Sequence, residues 1–99
     1  MSRHELVISP QAKRDLEEIY AYTAANWGKT RAETYLDQLE AGFHQIIDHP
    51  ESGRPRPEIK ADYRALVKEK HVIFYRISGK EIHVLGVLHS RMDIAGRQF

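Results

Sequence analysis

The chain has 99 residues, which supports one domain with a modest core and is too short for a second, so we take residues 1–99 as one domain. It has no cysteine, which excludes disulfides and thiolate metal sites and favours a cytoplasmic location. No apolar run is long enough for a signal peptide or for the roughly 20 residues of a membrane span, so we expect a soluble protein.

Charge is nearly balanced overall but unevenly distributed along the chain. Fifteen Lys and Arg against 14 Asp and Glu leave a formal charge of +1, which by itself does not predict nucleic-acid binding. Residues 54–99 hold 10 of the 15 bases, whereas residues 1–53 hold 9 of the 14 acids. The second part therefore offers a basic surface, which is either a solvated face or a contact for a partner.

The chain opens with a predicted strand and a predicted helix. Residues 4–8, HELVI, are a short β-prone run that ends at Ser9-Pro10, a pair typical of a helix start. From there to Gly28 the apolar residues recur at spacings of three and four, which predicts an amphipathic helix. Its stripe consists of Ala12, Leu16, Ile19, Tyr20, Thr23 and Trp27.

A second amphipathic helix is predicted after a connection of a few residues. The run from Thr30 to Glu33 has the pattern of a capping box, which predicts a helix start near residue 31. Pro50 forbids continuation of this helix. Two helices joined so closely predict an antiparallel helical hairpin. The second stripe consists of Ala32, Leu36, Leu39, Phe43, Ile46 and Ile47.

The remaining residues predict a loop and an antiparallel meander. Residues 49–58, HPESGRPRPE, form a Pro/Gly-rich loop. Three β-prone runs follow, with a tight turn at Ser78-Gly79 or Gly79-Lys80 between the last two. They are DYRALVK, HVIFYRI and EIHVLGVLH. The middle run is apolar on both faces, so we expect a central strand covered by the hairpin on one side and by a partner or the tail on the other.

The predicted fold class is therefore α+β, in the order β-α-α-β-β-β. The helical hairpin packs on one face of a mostly antiparallel four-stranded sheet, and a short C-terminal tail follows. The six histidines lie at positions 4, 44, 49, 71, 83 and 89, which is not the spacing of a zinc site. The glycines form no phosphate loop. We predict neither a metal nor a cofactor.

Six segments, taken in order, resemble those of a known family and span nearly the whole chain. They are ISPQAKRDLEEIYAY, WG, AETYLDQLEAGF, HPESGRPRPEI, YRALVKEKHVIFYRI and VLHSRMD. Their order and spacing resemble the ParE family of the ParE/RelE toxin superfamily, whose members include plasmid stabilisation proteins. The resemblance implies a RelE-like fold and the toxin half of a type II toxin-antitoxin system. It also implies a ParD-like antitoxin, bound in a heterotetramer or larger complex, and DNA gyrase as target, with nucleic acid involved only indirectly.

Two other functions stay open at this point. RelE-like relatives that cleave messenger RNA on the ribosome need a general base, a general acid and a cation, which Arg64, His89 and Arg91 would supply here. Such nucleases commonly place an arginine early in the third strand and an aromatic or histidine in the tail. This chain has Val72 there and no Tyr or His after His89, which favours a toxin that acts by binding and is not an enzyme. The other function is a non-toxic module that binds its antitoxin and co-represses the operon.

We expect two binding surfaces. The target-facing residues are predicted in the C-terminal strand and tail together with Arg64: they are Arg64, His89, Arg91, Met92 and Asp93. Each has a structural alternative, since His89 is suited to a hydrogen bond at a strand end, Arg64 to anchoring the sheet through an acidic side chain, and Arg91 to pairing with Asp93.

The antitoxin surface is predicted along the helical hairpin. A disordered acidic and hydrophobic segment is expected to fold across the hairpin and along a sheet edge. Arg54 and Arg56 alternate with prolines on a stiff segment and are either solvated or in contact with this partner. The predicted contact residues are Leu16, Tyr20, Leu36, Leu39, Arg54 and Arg56.

Overall fold

The computed structural model describes residues 4–90 and has two helices packed on one sheet. The elements are β1 (Glu5–Ile8), α1 (Pro10–Trp27), α2 (Lys29–Asp48), a 3-10 turn (Pro50–Ser52), β2 (Arg54–Pro55), β3 (Tyr63–Lys68), β4 (His71–Ser78) and β5 (Glu81–His89). The sheet order is β1-β5-β4-β3-β2, with β1 parallel to β5 and the other pairs antiparallel. The α+β prediction is confirmed, with five strands where four were expected. No helix within residues 4–90 has the length and apolar character to cross a membrane.

The fifth strand is β2, which lies within the segment predicted as a loop. It contributes two residues, with Arg54 opposite Ala65 and Pro55 opposite Arg64. Proline has no N–H for a sheet ladder and is found mainly on edge strands, which is where β2 lies. The other predicted features of this part are confirmed, including a two-residue turn at Gly79-Lys80 between the paired Ser78 and Glu81.

The start of α1 is fixed to the sheet by Ser9. Its Oγ accepts a hydrogen bond from the Ala12 N–H at 3.0 Å, as a helix cap does, and donates to the Leu85 carbonyl at 3.3 Å. Pro10 occupies the first helical position, where its missing N–H is not needed. The predicted helix start is therefore confirmed, and it is also a contact between α1 and β5.

The reversal between the two helices takes a single residue, Gly28. Its φ is +95°, a region that L side chains rarely adopt, which explains the glycine. The prediction of a capping box at Thr30 is wrong, because α2 already begins at Lys29 and no side chain caps it. Thr30 and Glu33 both lie inside the first turns. The helical hairpin is thus tighter than the sequence pattern suggested.

The main core lies between the hairpin and one face of the sheet. Fully buried side chains from both layers meet there, and their removal from water is the chief stabilising term. They include Leu39, Ile46, Ile73, Tyr75, Ile82 and Val84. Helix α2 approaches β4 closely at Gly42, where an added Cβ would lie 2.9 Å from Ile73 Cδ1.

Strand β4 is central and covered on both faces, as predicted. Ile73 and Tyr75 belong to the core under the helices, whereas Phe74 packs with Ala65 and Leu88 on the opposite face. Phe74 is fully buried. The tail that was expected to contribute to this cover, residues 90–99, lies outside the described residues apart from Ser90.

The buried carboxylate of Asp15 on α1 lies beside a bulge in β5 and accepts a hydrogen bond there. Phe74 pairs with Gly86 but Tyr75 pairs with Val84, so Leu85 is an extra residue. Asp15 accepts the Val87 N–H beside this irregularity at 2.9 Å while only 5% exposed. The carboxylate therefore satisfies a backbone donor of β5 and joins α1 to the sheet.

Candidate functional site

The loop after α2 is fixed to the sheet by the buried side chain of Tyr75. The Tyr75 hydroxyl donates to the Pro50 carbonyl at 2.6 Å and accepts from the Gly53 N–H at 2.9 Å. A Cβ at Gly53 would lie 2.5 Å from the Tyr75 oxygen. This position therefore requires glycine, because any side chain would displace the hydroxyl.

Arg64 holds the same loop from the neighbouring strand. Its Nη1 donates to the Gly53 carbonyl at 2.8 Å and to the Glu51 carbonyl at 3.4 Å. The expected anchor to an acidic side chain is therefore replaced by an anchor to backbone carbonyls. Arg64 remains partly exposed, so the same guanidinium still faces solvent.

The structure does not bring Arg64 and His89 together. Arg64 lies opposite Tyr75, and His89 lies opposite His71, four residues away along β4. At about 3.3 Å per residue, these positions are roughly 13 Å apart along the sheet. The predicted nuclease set of Arg64, His89 and Arg91 therefore has its two described members at different ends of the sheet. Arg91, Met92 and Asp93 lie outside the described residues.

His89 instead lines a pocket of about 410 Å³ at the Gly28 end of the hairpin, which we call the hairpin pocket. The pocket lies between the helices and the adjacent ends of β4 and β5, and its size is in the range of ligand sites. Its apolar wall consists of Ile19, Tyr22 and Trp27. The rings of Tyr22 and Trp27 meet edge to face with centroids 6.0 Å apart, yet these residues are 64% and 60% exposed. Trp27, predicted as part of the apolar stripe of α1, thus faces largely into solvent.

The floor of the hairpin pocket is a connected set of polar rings. The Tyr35 hydroxyl and His71 Nδ1 are 2.6 Å apart, and the Lys70 N–H donates to the same hydroxyl at 3.2 Å. The His71 and His89 rings, on directly opposed positions of β4 and β5, meet edge to face at 5.3 Å. The floor is therefore built from a helix, a turn and two strands that hold one another in place.

His71 is neutral at pH 7. Burial, and secondarily the neighbouring His89, lower the pKa of His71 from 6.5 to about 4. Burial also raises the pKa of Tyr35, so its phenol keeps its hydrogen. The same oxygen accepts from the Lys70 N–H, so the 2.6 Å contact with His71 Nδ1 links the turn at Lys70 to the start of β4.

Charged side chains surround the mouth of the hairpin pocket. Arg31 and Lys70 are the cations among the lining residues, and Glu18 is the anion. Two positive charges against one negative charge favour anionic groups at short range, since neighbouring low-dielectric walls strengthen such interactions.

The predicted antitoxin residues are not among those that line the hairpin pocket. Leu16 and Leu36 are partly buried against the core, and Tyr20 is half-buried. Leu39 is fully buried, so it supports the hairpin from beneath and has no surface for direct contact. Arg54 is exposed, whereas the Arg56 guanidinium is bonded to Glu58 at 2.5 Å. The five predicted residues other than Leu39 are at least partly exposed, and their contact with the antitoxin remains a prediction.

Comparison with known proteins identifies the family. A family model described as "ParE toxin of type II toxin-antitoxin system, parDE" matches residues 6–94. The chain belongs to the ParE toxin family. Toxin ParE1 of Mycobacterium tuberculosis (strain ATCC 25618 / H37Rv) is 40% identical over 89 residues, which are 89% of this chain and 91% of that toxin. Toxin ParE1 of Caulobacter vibrioides is 36% identical over 86 residues, which are 87% of this chain and 88% of the relative.

Two solved structures share the architecture of this ParE family member. A chromosomal ParDE toxin-antitoxin system from P. aeruginosa matches with a TM-score of 0.77 at 23% identity, over 87% of this chain and 95% of that chain. The RelBE2 toxin-antitoxin complex from Mycobacterium tuberculosis matches with a TM-score of 0.65 at 19% identity, over 88% of this chain and 98% of that chain. The RelE-like fold predicted from the sequence is therefore confirmed.

Proposed function

We propose that this toxin acts by binding DNA gyrase and stalling its DNA cleavage cycle, and that a ParD-like antitoxin silences it in the cytoplasm. The observation that carries the proposal is the family match across residues 6–94, together with ParE1 relatives that align along nearly their whole length. Target contacts are assigned to Arg64 and His89, and to Arg91, Met92 and Asp93 beyond the described residues.

The state of His71 supports binding over acid-base chemistry. A general base works best when its pKa lies near the working pH. The pKa of His71 lies at about 4, and its Nδ1 is engaged by Tyr35. This imidazole is therefore weakly basic at neutral pH and better suited to orienting a neighbour than to accepting a proton.

The test compares two targets at one toxin concentration. Purified toxin is expected to inhibit gyrase supercoiling while ribosomal translation proceeds, and added antitoxin should restore supercoiling. His89→Ala is expected to weaken inhibition about tenfold, the effect of losing roughly 1.4 kcal/mol of binding. The matched control is His44→Ala, since His44 is exposed on α2 and distant in sequence from the proposed contacts. Inhibited translation with unaffected gyrase would contradict the proposal.

The antitoxin is proposed to fold across the hairpin, beside Leu16, Tyr20 and Leu36, with Arg54 and Arg56 near a sheet edge. Hydrogen exchange with and without the antitoxin measures this directly. Amides of α1 and α2 are expected to gain protection in the complex, and unchanged helices would contradict the assignment. Light scattering of the complex should report a heterotetramer or a larger assembly.

A second function, ribosome-dependent endoribonuclease, is favoured by one observation. The hairpin pocket brings two histidines, two phenols and two cations together, which are residue types that RNA cleavage uses. Under this alternative, the reactive set includes His89 and Lys70 and does not include Arg64. Loss of messenger cleavage on ribosomes in His89→Ala, with wild-type cleavage in His44→Ala, would support it.

A further inference from the structure

The sheet has a second face, opposite the helical hairpin, and the centre of this face is buried. Phe74 is fully buried there, with Leu88 at 3% and Ala65 at 7% exposed. Strand side chains alternate between the two faces, so Val72 lies on the same side as Phe74, and Val67 lies opposite Val72 on β3. We call the side of the sheet that carries these five residues the outer face.

The cover over Phe74 comes from this chain. The side chain is fully buried within the single chain, so no partner is needed to remove it from water. Among residues 4–90, Ile59 and Val72 are partly buried side chains that pack against the cluster around Phe74. Val72 and the other strand neighbours lie beside a strand residue and not above it. Full burial of the ring therefore requires more of the chain over the outer face than Ile59 alone.

Residues 91–99 leave the sheet next to the outer face. The Ser90 N–H donates to the Lys70 carbonyl at 2.9 Å, which fixes the start of this segment at the end of β5 and beside β4. Leu88 lies on the outer face, and alternation places Ser90 on the same side. Nine residues span up to roughly 30 Å, at about 3.3 Å per residue. That exceeds the length of β4, which has 8 residues, so the segment can run back over Phe74.

The composition of residues 91–99 suits the buried centre of the outer face. Met92, Ile94 and Phe99 are apolar, and small or charged residues separate them. Apolar side chains laid over Phe74 remove both surfaces from water, which stabilises the contact. A segment with this pattern can cover the cluster and still keep charged groups in solvent.

A charged row crosses the outer face beyond its apolar centre. Arg76 and His83 lie opposite each other on β4 and β5. The Asp62 carboxylate is 3.8 Å from the Arg76 guanidinium. The Glu81 carboxylate is 3.1 Å from the His83 ring. Arg97 belongs to a segment long enough to reach this row, and a guanidinium suits either carboxylate. The outer face thus complements residues 91–99 in charge as well as in apolar surface.

We propose that residues 91–99 dock on the outer face of their own chain, with Met92 and Ile94 over Phe74 and Arg97 at the charged row. The segment runs back from the end of β5 and completes the second core. The hairpin packs on one face of the sheet and the docked segment on the other, so β4 is covered twice by the same molecule.

Docking also orients the proposed target contacts. In an extended segment alternate side chains point the same way, so Arg91 and Asp93 face solvent when Met92 and Ile94 face the sheet. Met92 is then a positioning residue and not a direct contact. A segment that is held before gyrase binds loses less freedom on binding, which favours affinity. This orienting role rests on the proposed function, whereas the docking itself does not.

A spin label on either side of the molecule tests the docking, because the chain has no cysteine of its own. Val67→Cys places the label on the outer face, at a side chain that is 67% exposed. His44→Cys places the matched label at an exposed position of α2, in the layer on the other side of the sheet. We expect the NMR amide signals of residues 92–97 to relax at least fivefold faster with the label at position 67 than at position 44.

Three results of the label experiment would overturn the proposal. Equal relaxation from both labels would place residues 92–97 away from the outer face. Fast relaxation of residues 2 and 3 in their place would make the N-terminal residues the cover. A contrast that persists when the label and the ¹⁵N isotope are on separate molecules would assign the cover to a second copy of the chain.

Substitutions within the segment test its orientation. Ile94→Asp places a carboxylate against the apolar centre and is expected to reduce the label contrast from at least fivefold to less than twofold. Ala95→Asp makes the same change at the neighbouring residue, which faces outward, and should keep the contrast. Ile94→Leu keeps an apolar side chain of the same size and should also keep it. Equal contrast in Ile94→Asp and Ala95→Asp would contradict the orientation.

The functional readout separates positioning from general damage. Ile94→Asp is expected to weaken gyrase inhibition at least tenfold and to change antitoxin affinity less than twofold, because the antitoxin is assigned to the hairpin on the other face. Ile94→Leu should inhibit gyrase like the wild type. Circular dichroism checks that both variants are folded, and the label experiment on the wild-type segment decides the docking even if Ile94→Asp does not fold.

Failure of the docking and failure of the toxin function give different results. If the wild type inhibits gyrase but the two labels give equal relaxation, the docking proposal fails and the toxin function stands. If gyrase is unaffected by the wild type but the label contrast is found, the target proposal fails and the docking stands. Full gyrase inhibition by Ile94→Asp with a lost label contrast would overturn the orienting role.

Discussion

Two tyrosines, Tyr75 on β4 and Tyr35 on α2, each join two partners through the hydroxyl, but their surroundings differ. Tyr75 bridges Pro50 and Gly53 while fully buried at the loop end of the sheet. Tyr35 bridges Lys70 and His71 at the floor of an open pocket. The first hydroxyl holds backbone in place, whereas the second orients a side chain that faces a ligand-sized space.

This contrast predicts which substitutions affect stability and which affect binding. A buried hydrogen bond is costly to break because its partners lose water as well as each other. An exposed aromatic ring contributes little to folding, since it stays in contact with water. We therefore expect substitutions at the loop end to affect the free energy of unfolding, and substitutions at the hairpin pocket to affect binding.

The largest effect is expected for Gly53→Ala. The new Cβ would lie 2.5 Å from the Tyr75 oxygen, so either the loop or the buried ring must shift. Overpacking of this kind destabilises by about 2–3 kcal/mol, measured by urea denaturation. Glu51→Ala, an exposed change in the same loop, should stay within about 0.5 kcal/mol. A similar loss in both variants would show that the loop end is not constrained by Tyr75.

Tyr75→Phe is expected to have the next largest effect. It leaves the Gly53 N–H and the Pro50 carbonyl without their shared partner, at a loss of about 2 kcal/mol. The same deletion in Tyr22→Phe removes a hydroxyl from a residue that is 64% exposed and should change stability by less than about 0.5 kcal/mol. Equal losses of stability in Tyr75→Phe and Tyr22→Phe would contradict the distinction between the loop end of the sheet and the hairpin pocket.

A smaller, pH-dependent effect is expected at the pocket floor. The folded-state pKa of His71 is about 4, below its ordinary 6.5. As pH falls from 6.5 to 4, the unfolded chain takes up a proton that the folded chain does not, so stability decreases across this window and is unaffected by this group above it. After burial, the second cause of the lowered pKa of His71 is His89, whose ring meets that of His71 edge to face.

Because His71 is only partly buried, the decrease is on the order of 1 kcal/mol. Thermal unfolding of the wild type and His71→Gln across this pH range measures it, and the variant should show a flatter profile. His44→Gln, at an exposed site on α2, should keep the wild-type profile. Ring proton titration by NMR gives the pKa directly, and a value near 6.5 would contradict the burial argument.

The smallest effect on stability is expected for Trp27→Ala. The side chain is 60% exposed, so its removal should change the free energy of unfolding by less than about 0.5 kcal/mol. Unfolding must be followed by circular dichroism, because the variant lacks the only tryptophan. A loss above about 2 kcal/mol would mean that this ring belongs to the fold and not to a binding surface.

Much of the fold was predictable because its signals are local. Periodicity predicted both helices, Ser9-Pro10 predicted the start of α1, and Pro50 predicted the end of α2. The capping box failed because Thr30 matches a local pattern while Gly28 already reverses the chain in one residue. Strand β2 was missed because two residues, one of them proline, carry no strand periodicity.

The site was predicted less well because it depends on contacts between distant residues. His89 was recognised as a candidate, yet its neighbours in the pocket come from α1, α2 and β4. Tyr35 and His71 are 36 positions apart in the chain. Trp27 was assigned to an apolar stripe, since a helical repeat does not reveal which of its members lies beyond the edge of the sheet. Arg64, predicted in the same set, lies toward the other end of the sheet, because strand register decides how far apart two strand residues lie.

The parallel pairing of β1 with β5 has a consequence for synthesis of the toxin. Glu5 pairs with Glu81 and Ile8 pairs with Val84, so β1 cannot pair in the sheet until β5 has been synthesised. Such long-range pairing slows folding relative to a protein built from local contacts. During translation the helical hairpin can form early. The sheet, and the side of the hairpin pocket that His89 lines, are completed only when β5 has been synthesised. An N-terminal fragment released by a stalled ribosome therefore carries neither the finished sheet nor the finished pocket.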